Sequence, residues 1–138
     1  MALTEHRLRT TRTTAPIRPT LPAPLSTSWA LSLGLAWVAF NVIAALLEPA
    51  PARTLGLWED VVIYAQLGSL LLVAAGLARR RTWAAGASLG ASAFFTAGVF
   101  ACPATGHHTF GLRWIGEFAA VLALTALSGV AWMRTRRV

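Results

Sequence analysis

Thiolate and imidazole crowd into one short stretch of the chain, Cys102-Pro103-Ala104-Thr105-Gly106-His107-His108. These side chains are the usual ligands of zinc and copper. Pro103 and Gly106 favour turns, and a turn here would bring sulfur and imidazole together. Adjacent histidines seldom reach one ion unless the backbone bends sharply. The expected set is therefore Cys102 with His107 or His108, completed by a carboxylate from Glu48, Glu59, Asp60 or Glu117. Cys102 is the only cysteine, which excludes an intrachain disulfide and a CxxC redox pair. The competing reading is a wet loop, with the histidines in water and Cys102 packed at a helix end.

Glu117 is the only acid inside an apolar run. Ionisable groups in a membrane are costly and mark functional positions by default. Glu117 follows Trp114 by one turn, ~5 Å below the interface on helix rise. Arg113 precedes it by four positions, on the same helix face. A local Arg113–Glu117 pair is thus the simpler expectation.

A second constellation is uncharged. Asn41, Gln66 and Thr96 fall at one depth, roughly 9 Å from the outer ends of their helices. Glu117 and Tyr64 lie slightly above. Ser88, Ser92 and Thr96 recur every four residues on one helix face. Side chains at one depth either hydrogen-bond between helices or line a small outward-facing polar pocket. No phosphate-binding loop, Ser-His-Asp set, HExxH or haem-attachment motif is present. With no nucleophile–base pair in view, an enzyme is the least expected class.

The elements that must position these residues are four apolar runs, 29–47, 61–78, 83–101 and 114–133. Hydrophobic residues make up 56% of the 138-residue chain and charged residues 12%. That is about half the charge of a soluble domain. At ~1.5 Å per residue each run crosses a hydrocarbon core of about 30 Å. Without water the backbone must bond internally, so the runs are helices. Pro49 and Pro51 end the first and Pro103 the third. Glu59 and Asp60 suit the positive end of the second helix dipole. Trp29, Trp58, Trp83, Trp114 and Trp132 fall at the interfaces, where indole is favoured.

Orientation follows from arginine, since the chain has no lysine. Arg7, Arg9, Arg12 and Arg18 precede the first helix. Arg79, Arg80 and Arg81 join the second and third, and Arg134, Arg136 and Arg137 follow the fourth. Only Arg53 and Arg113 lie at the opposite end. The bias puts both termini and the Arg79–Arg81 turn in the cytoplasm, with Arg79, Arg80 and Arg81 as topology determinants. These clusters flank membrane helices, so anionic lipid headgroups account for the net charge of +7 without nucleic acid. Residues 1–28 are rich in Thr, Arg and Pro and read as a disordered tail. Residues 29–138 form one domain. A cleaved signal peptide ending at Ala50-Pro51-Ala52 is a rival reading, opposed by the length of the run and the proline.

Small-residue pairs, Gly86/Gly90, Gly116/Ala120 and Ser32/Ala36, allow close helix approach. Ser-Leu-Gly at 32–34 and 88–90, and similar loops beginning at Glu48-Pro49-Ala50 and Cys102-Pro103-Ala104, hint at a duplicated helical hairpin.

The expected fold is an all-α, integral-membrane four-helix bundle, up-down-up-down, with both termini cytoplasmic. The arginine-only, alanine-rich composition points to a GC-rich genome, and the expected location is a bacterial cytoplasmic membrane. Three functions follow in order: a structural or accessory membrane component, alone as a homo-oligomer or in a larger complex; an outward-facing zinc, copper or small-ligand site; and a small oligomeric transporter using Glu117 and the polar layer. The metal reading has a direct check by metal titration of dialysed protein. Wild type is expected to bind zinc or Cu(I) more tightly than a Cys102→Ser/His107→Ala/His108→Ala variant, with Arg53→Ala unaffected. Equal binding by wild type and the triple variant removes it.

Overall fold

In the computed structural model, residues 24–47, 56–101, 103, 106 and 110–137 are described. They form four helices, α1 (Thr27–Leu47), α2 (Leu57–Ala78), α3 (Trp83–Ala101) and α4 (Leu112–Thr135). The helices have 21, 22, 19 and 24 residues and mean hydropathies of 2.1, 2.0, 1.4 and 1.6. On helix rise they extend ~28 to ~36 Å, enough to cross a bilayer core.

Three helices open earlier than apolar composition suggests, and polar side chains cap two of them. The Ser26 hydroxyl accepts the Trp29 N–H at 3.3 Å, an N-cap bond that starts α1 at Thr27. The extended Gly56 donates its N–H to the Glu59 carboxylate, half of a capping box. That bond starts α2 at Leu57 and draws Trp58, Glu59 and Asp60 into its first turn. α4 likewise opens at Leu112 behind an extended Gly111. At its far end, Thr135 Oγ1 donates to the Trp132 carbonyl at 2.8 Å and Arg134 faces the negative end of the dipole.

The α2–α3 turn is tight and unusual. α2 closes in a Schellman pattern, Arg80 N–H to Leu77 O at 2.9 Å and Arg81 N–H to Gly76 O at 2.9 Å. The left-handed position of that motif normally holds glycine; here it is Arg80, with φ 51°. The side chain offsets the backbone cost. Arg80 Nε donates to Leu25 O at 3.0 Å, and Leu25 N–H donates to Arg80 O at 2.8 Å. Leu25 is 1% exposed. The segment ahead of α1 is thus stapled to the turn between α2 and α3. Arg134 of α4 stacks over Trp29 of α1 at 5.9 Å, so the start of α1, the Arg79–Arg81 turn and the end of α4 share one end of the bundle. The helices therefore run antiparallel in sequence order.

Around the bundle the order is α1–α4–α3–α2. α3 and α4 share the largest interface, followed by α1–α4 and α2–α3, while α1 and α2 barely meet. Buried stripes repeat at heptad-like spacing: Leu33, Trp37 and Phe40 on α1; Ala84, Ser88, Ala91 and Ser92 on α3; Val121, Leu124, Ser128 and Ala131 on α4. Most α3 contacts are alanine and serine, which let the backbones close up. Gly86 lies beneath Trp132, where a Cβ would stand 3.0 Å from Nε1. Gly116 meets Leu47 Cδ1 in the same way at 3.1 Å, but Gly90 faces open space. Only one glycine of the Gly86/Gly90 pair is therefore a contact. Ser32 is exposed while Ser88 is buried, and the α1–α2 hairpin is loose where α3–α4 is tight. The two Ser-Leu-Gly segments do not occupy equivalent environments.

The closest approach is at Gly76, where an added Cβ would lie 2.7 Å from Trp83 Cζ3 and 2.9 Å from Ala84 Cβ. Gly76→Ala is expected to lower the thermal midpoint in detergent, with a cost of about 1–3 kcal/mol from overpacking. Gly90→Ala is expected to leave it unchanged or raised. An unchanged midpoint for Gly76→Ala would contradict the packing of Trp83 across the turn.

Candidate functional site

The polar centre of the bundle is a chain of hydrogen bonds through three helices. Trp37 Nε1 donates to Ser88 Oγ at 2.8 Å, and Ser88 Oγ lies 2.8 Å from Ser128 Oγ. Trp37 is 4% exposed and both serines 0%. Ser88 accepts from the indole with one lone pair and shares a second hydrogen bond with Ser128, in which either hydroxyl can be the donor, so the chain joins α1, α3 and α4. The indole is fixed from its other side by aromatic edges. Its ring lies 6.1 Å from Phe40 and 5.6 Å from Phe95, and those two are 5.5 Å apart, all T-shaped.

A second polar contact lies about two turns further along α3. Thr96 Oγ1 and Thr125 Oγ1 are 3.0 Å apart, and each also reaches the carbonyl four residues before it, Ser92 O at 2.8 Å and Val121 O at 2.9 Å. Two hydroxyl protons face three contacts, so when one threonine donates across the interface only the other can bond back along its own helix. Trp114 Nε1 donates to Val99 O at 2.9 Å and satisfies a carbonyl in the last turn of α3. Trp114 also stacks on Phe118, centroids 5.2 Å apart and planes at 6°.

The residues singled out by type and spacing meet different fates. Cys102, His107, His108 and Glu48 lie outside the described residues. Among the described residues no three His, Cys, Asp or Glu side chains converge as a metal site would require. Glu117 is half-buried in the second turn of α4, beside the Trp114–Phe118 stack. Asn41, Gln66 and Thr96 are not joined by hydrogen bonds. Asn41 Nδ2 donates to Trp37 O on its own helix at 2.8 Å. Gln66 Nε2 packs over Gly98 of α3, and Thr96 finds Thr125. Of the Ser88, Ser92 and Thr96 face, Ser88 and Thr96 reach α4, while Ser92 Oγ turns back to Leu89 O at 3.1 Å. Arg79, Arg80 and Arg81 are all exposed at the turn.

Sequence reasoning missed Trp37, Ser128 and Thr125. A signal existed for the first: it is the one tryptophan placed mid-helix, away from both interfaces, where an indole N–H needs a partner. The serine and threonine of α4 carry no such mark, because isolated hydroxyls are common in membrane helices and bond locally.

Where α1 and α2 fail to close, they leave a cleft of about 670 Å³. Its walls include Gly34, Val38 and Val42 of α1 and Leu70, Ala74 and Leu77 of α2. Among the described residues Asn41 is the one polar side chain there besides the indole, whose N–H is turned inward to Ser88.

Fold and site together define a small multi-span helical membrane protein whose internal polar groups hold helices to one another. No family model, curated protein or solved structure matches the chain.

The Trp37–Ser88–Ser128 chain has a thermodynamic signature. Ser88→Ala strands the buried indole N–H, and the expected loss of stability is about 1–2 kcal/mol. Adding Trp37→Phe removes the stranded donor, so the double variant is expected to lose less than the sum of the single losses. Unfolding in detergent for the four members of the cycle measures this; strict additivity would deny the bond.

Proposed function

We propose that the chain is a non-enzymatic structural or accessory component of the cell membrane. The observation that carries this reading is where its polar groups go. Trp37, Ser88, Ser128, Thr96 and Thr125 are engaged in contacts between helices, and the cleft between α1 and α2 is almost wholly apolar. A transport pathway needs polar side chains facing a shared cavity. Here Asn41, Gln66 and Thr96 are turned to separate neighbours. The surface offered to the surroundings is lateral and apolar, including Leu31, Leu35, Leu46, Val61 and Leu71. Such a surface acts by packing against lipid or other membrane helices.

The arginine-rich end faces the cytoplasm in this proposal, and the membrane is the bacterial cytoplasmic membrane. Arg79, Arg80, Arg81, Arg134, Arg136 and Arg137 gather at that end, against Arg113 at the other, as the positive-inside rule requires.

Two measurements test the proposal. In a Cys102→Ala background, cysteines placed at Ala52 and Thr109 are expected to react with an impermeant thiol reagent from outside. One at Thr135 is expected to react only after the membrane is opened; outside labelling at Thr135 would reverse the orientation. Native mass measurement from membrane nanodiscs is expected to give a fixed assembly, either of this chain or with partner subunits. A monomer that moves solute across proteoliposomes, and loses that activity in Thr96→Val, would overturn the accessory reading.

A further inference from the structure

We propose that the α1–α2 cleft holds one acyl chain of an anionic phospholipid whose phosphate rests on Arg79 and Arg81. The inference depends on the membrane-spanning fold and not on an accessory role, and it stands whether the protein is monomeric or assembled.

Size selects the occupant. At ~30 Å³ for a group the size of a water or methylene, the cleft has room for roughly twenty of them. That matches a single acyl chain. A spanning helix, ~10–12 Å across and ~30 Å long, is far too large. The α2 wall runs only from Leu70 to Leu77, ~10 Å of helix, which also suits a chain segment better than a helix seated along its length.

Polarity selects hydrocarbon over water. The walls are Val, Leu, Ala, Gly and the Trp37 ring around one amide, and one of the two Asn41 N–H groups is already donated to Trp37 O, so a single side chain is left to offer polar atoms. A site for water needs two to four polar partners, which these walls do not offer.

Charge selects the headgroup. The cleft ends at Leu77, and Arg79 follows two residues later with Arg81 beyond it. Both are exposed, and neither side chain has a hydrogen-bond or ion-pair partner among the described residues. Arg80 between them is committed to Leu25, so the two flanking guanidiniums are left for an external anion. Arginine holds phosphate through paired N–H donors. The turn at Arg80 sets Arg79 and Arg81 at the end of α2 that contributes Leu77 to the cleft wall.

The test is lipid retention by the full chain, read by native mass spectrometry after extraction from vesicles of equal phosphatidylglycerol and phosphatidylcholine. Wild type is expected to retain one phosphatidylglycerol in preference to phosphatidylcholine. Arg79→Gln and Arg81→Gln are each expected to weaken retention about fivefold. Ala74→Phe fills the cleft from an exposed wall position and is expected to abolish retention, with helix content by circular dichroism unchanged. If that variant fails to fold, Ala45→Phe applies the same block from the α1 wall. Arg113→Gln, at the opposite end, is expected to have no effect. Equal retention of both lipids overturns the headgroup assignment. Retention that survives cleft filling, or is displaced by inorganic phosphate alone, overturns the acyl-chain site. A dimer that becomes monomeric on cleft filling makes the surface an interface between copies instead.

Discussion

A hydrogen-bond donor in the middle of a bilayer has no water to turn to, and the buried Trp37 indole places that demand at the centre of the bundle. Its N–H reaches Ser88, and Ser88 reaches Ser128. Meeting the demand sets the distance between α1 and α3 and between α3 and α4, because an oxygen must stand within 3 Å of each donor. Phe40 and Phe95 then fill the space around the indole. Individually such bonds contribute modestly, on the order of 1 kcal/mol in membranes. Their larger effect is on register: sliding α3 by one turn would strand both the indole and Ser128.

Close packing follows from the same geometry. α3 is lined with alanine and serine toward its neighbours, and its start is held against α2 by the approach of Trp83 and Ala84 to Gly76. α4 closes on α3 through Gly86 beneath Trp132 and on α1 through Gly116 against Leu47. α1 and α2 have no comparable pairing. The open seam between them is a consequence of where small residues and hydroxyls were placed, and it leaves the bundle asymmetric although its helices alternate regularly.

Arginines at one end of the bundle make specific contacts. Arg80 adopts a left-handed backbone and binds the segment ahead of α1, which ties the first helix to the central turn. Arg134 and Arg136 lie over Trp29 and Trp132, the latter at 3.8 Å, so cationic and aromatic interface residues are joined in pairs. Residues that satisfy a statistical rule about membrane sides also serve as specific contacts in the folded end of the protein.

The sequence alone determined the number and sequence order of the spans, because run length against bilayer thickness and the need for internal backbone bonding favour apolar helices of this length; the caps that extend three of them were not read from the runs. It also grouped the arginines that the structure gathers at one end. It did not reveal which face of each helix turns inward. In water, apolar periodicity marks the buried side; in lipid both sides are apolar, and the inward stripe of α3 differs only in being smaller. Helix rise assigns Asn41, Gln66 and Thr96 one depth, but it carries no information on rotation about the helix axis, and rotation sent their side chains to separate partners. Only the tertiary structure decided that Trp37 points at Ser88, that Thr96 meets Thr125, and that α1 and α2 part to leave a cleft. Those outcomes depend on packing between helices distant in sequence, where a few hydroxyls and glycines outweigh a uniform apolar background.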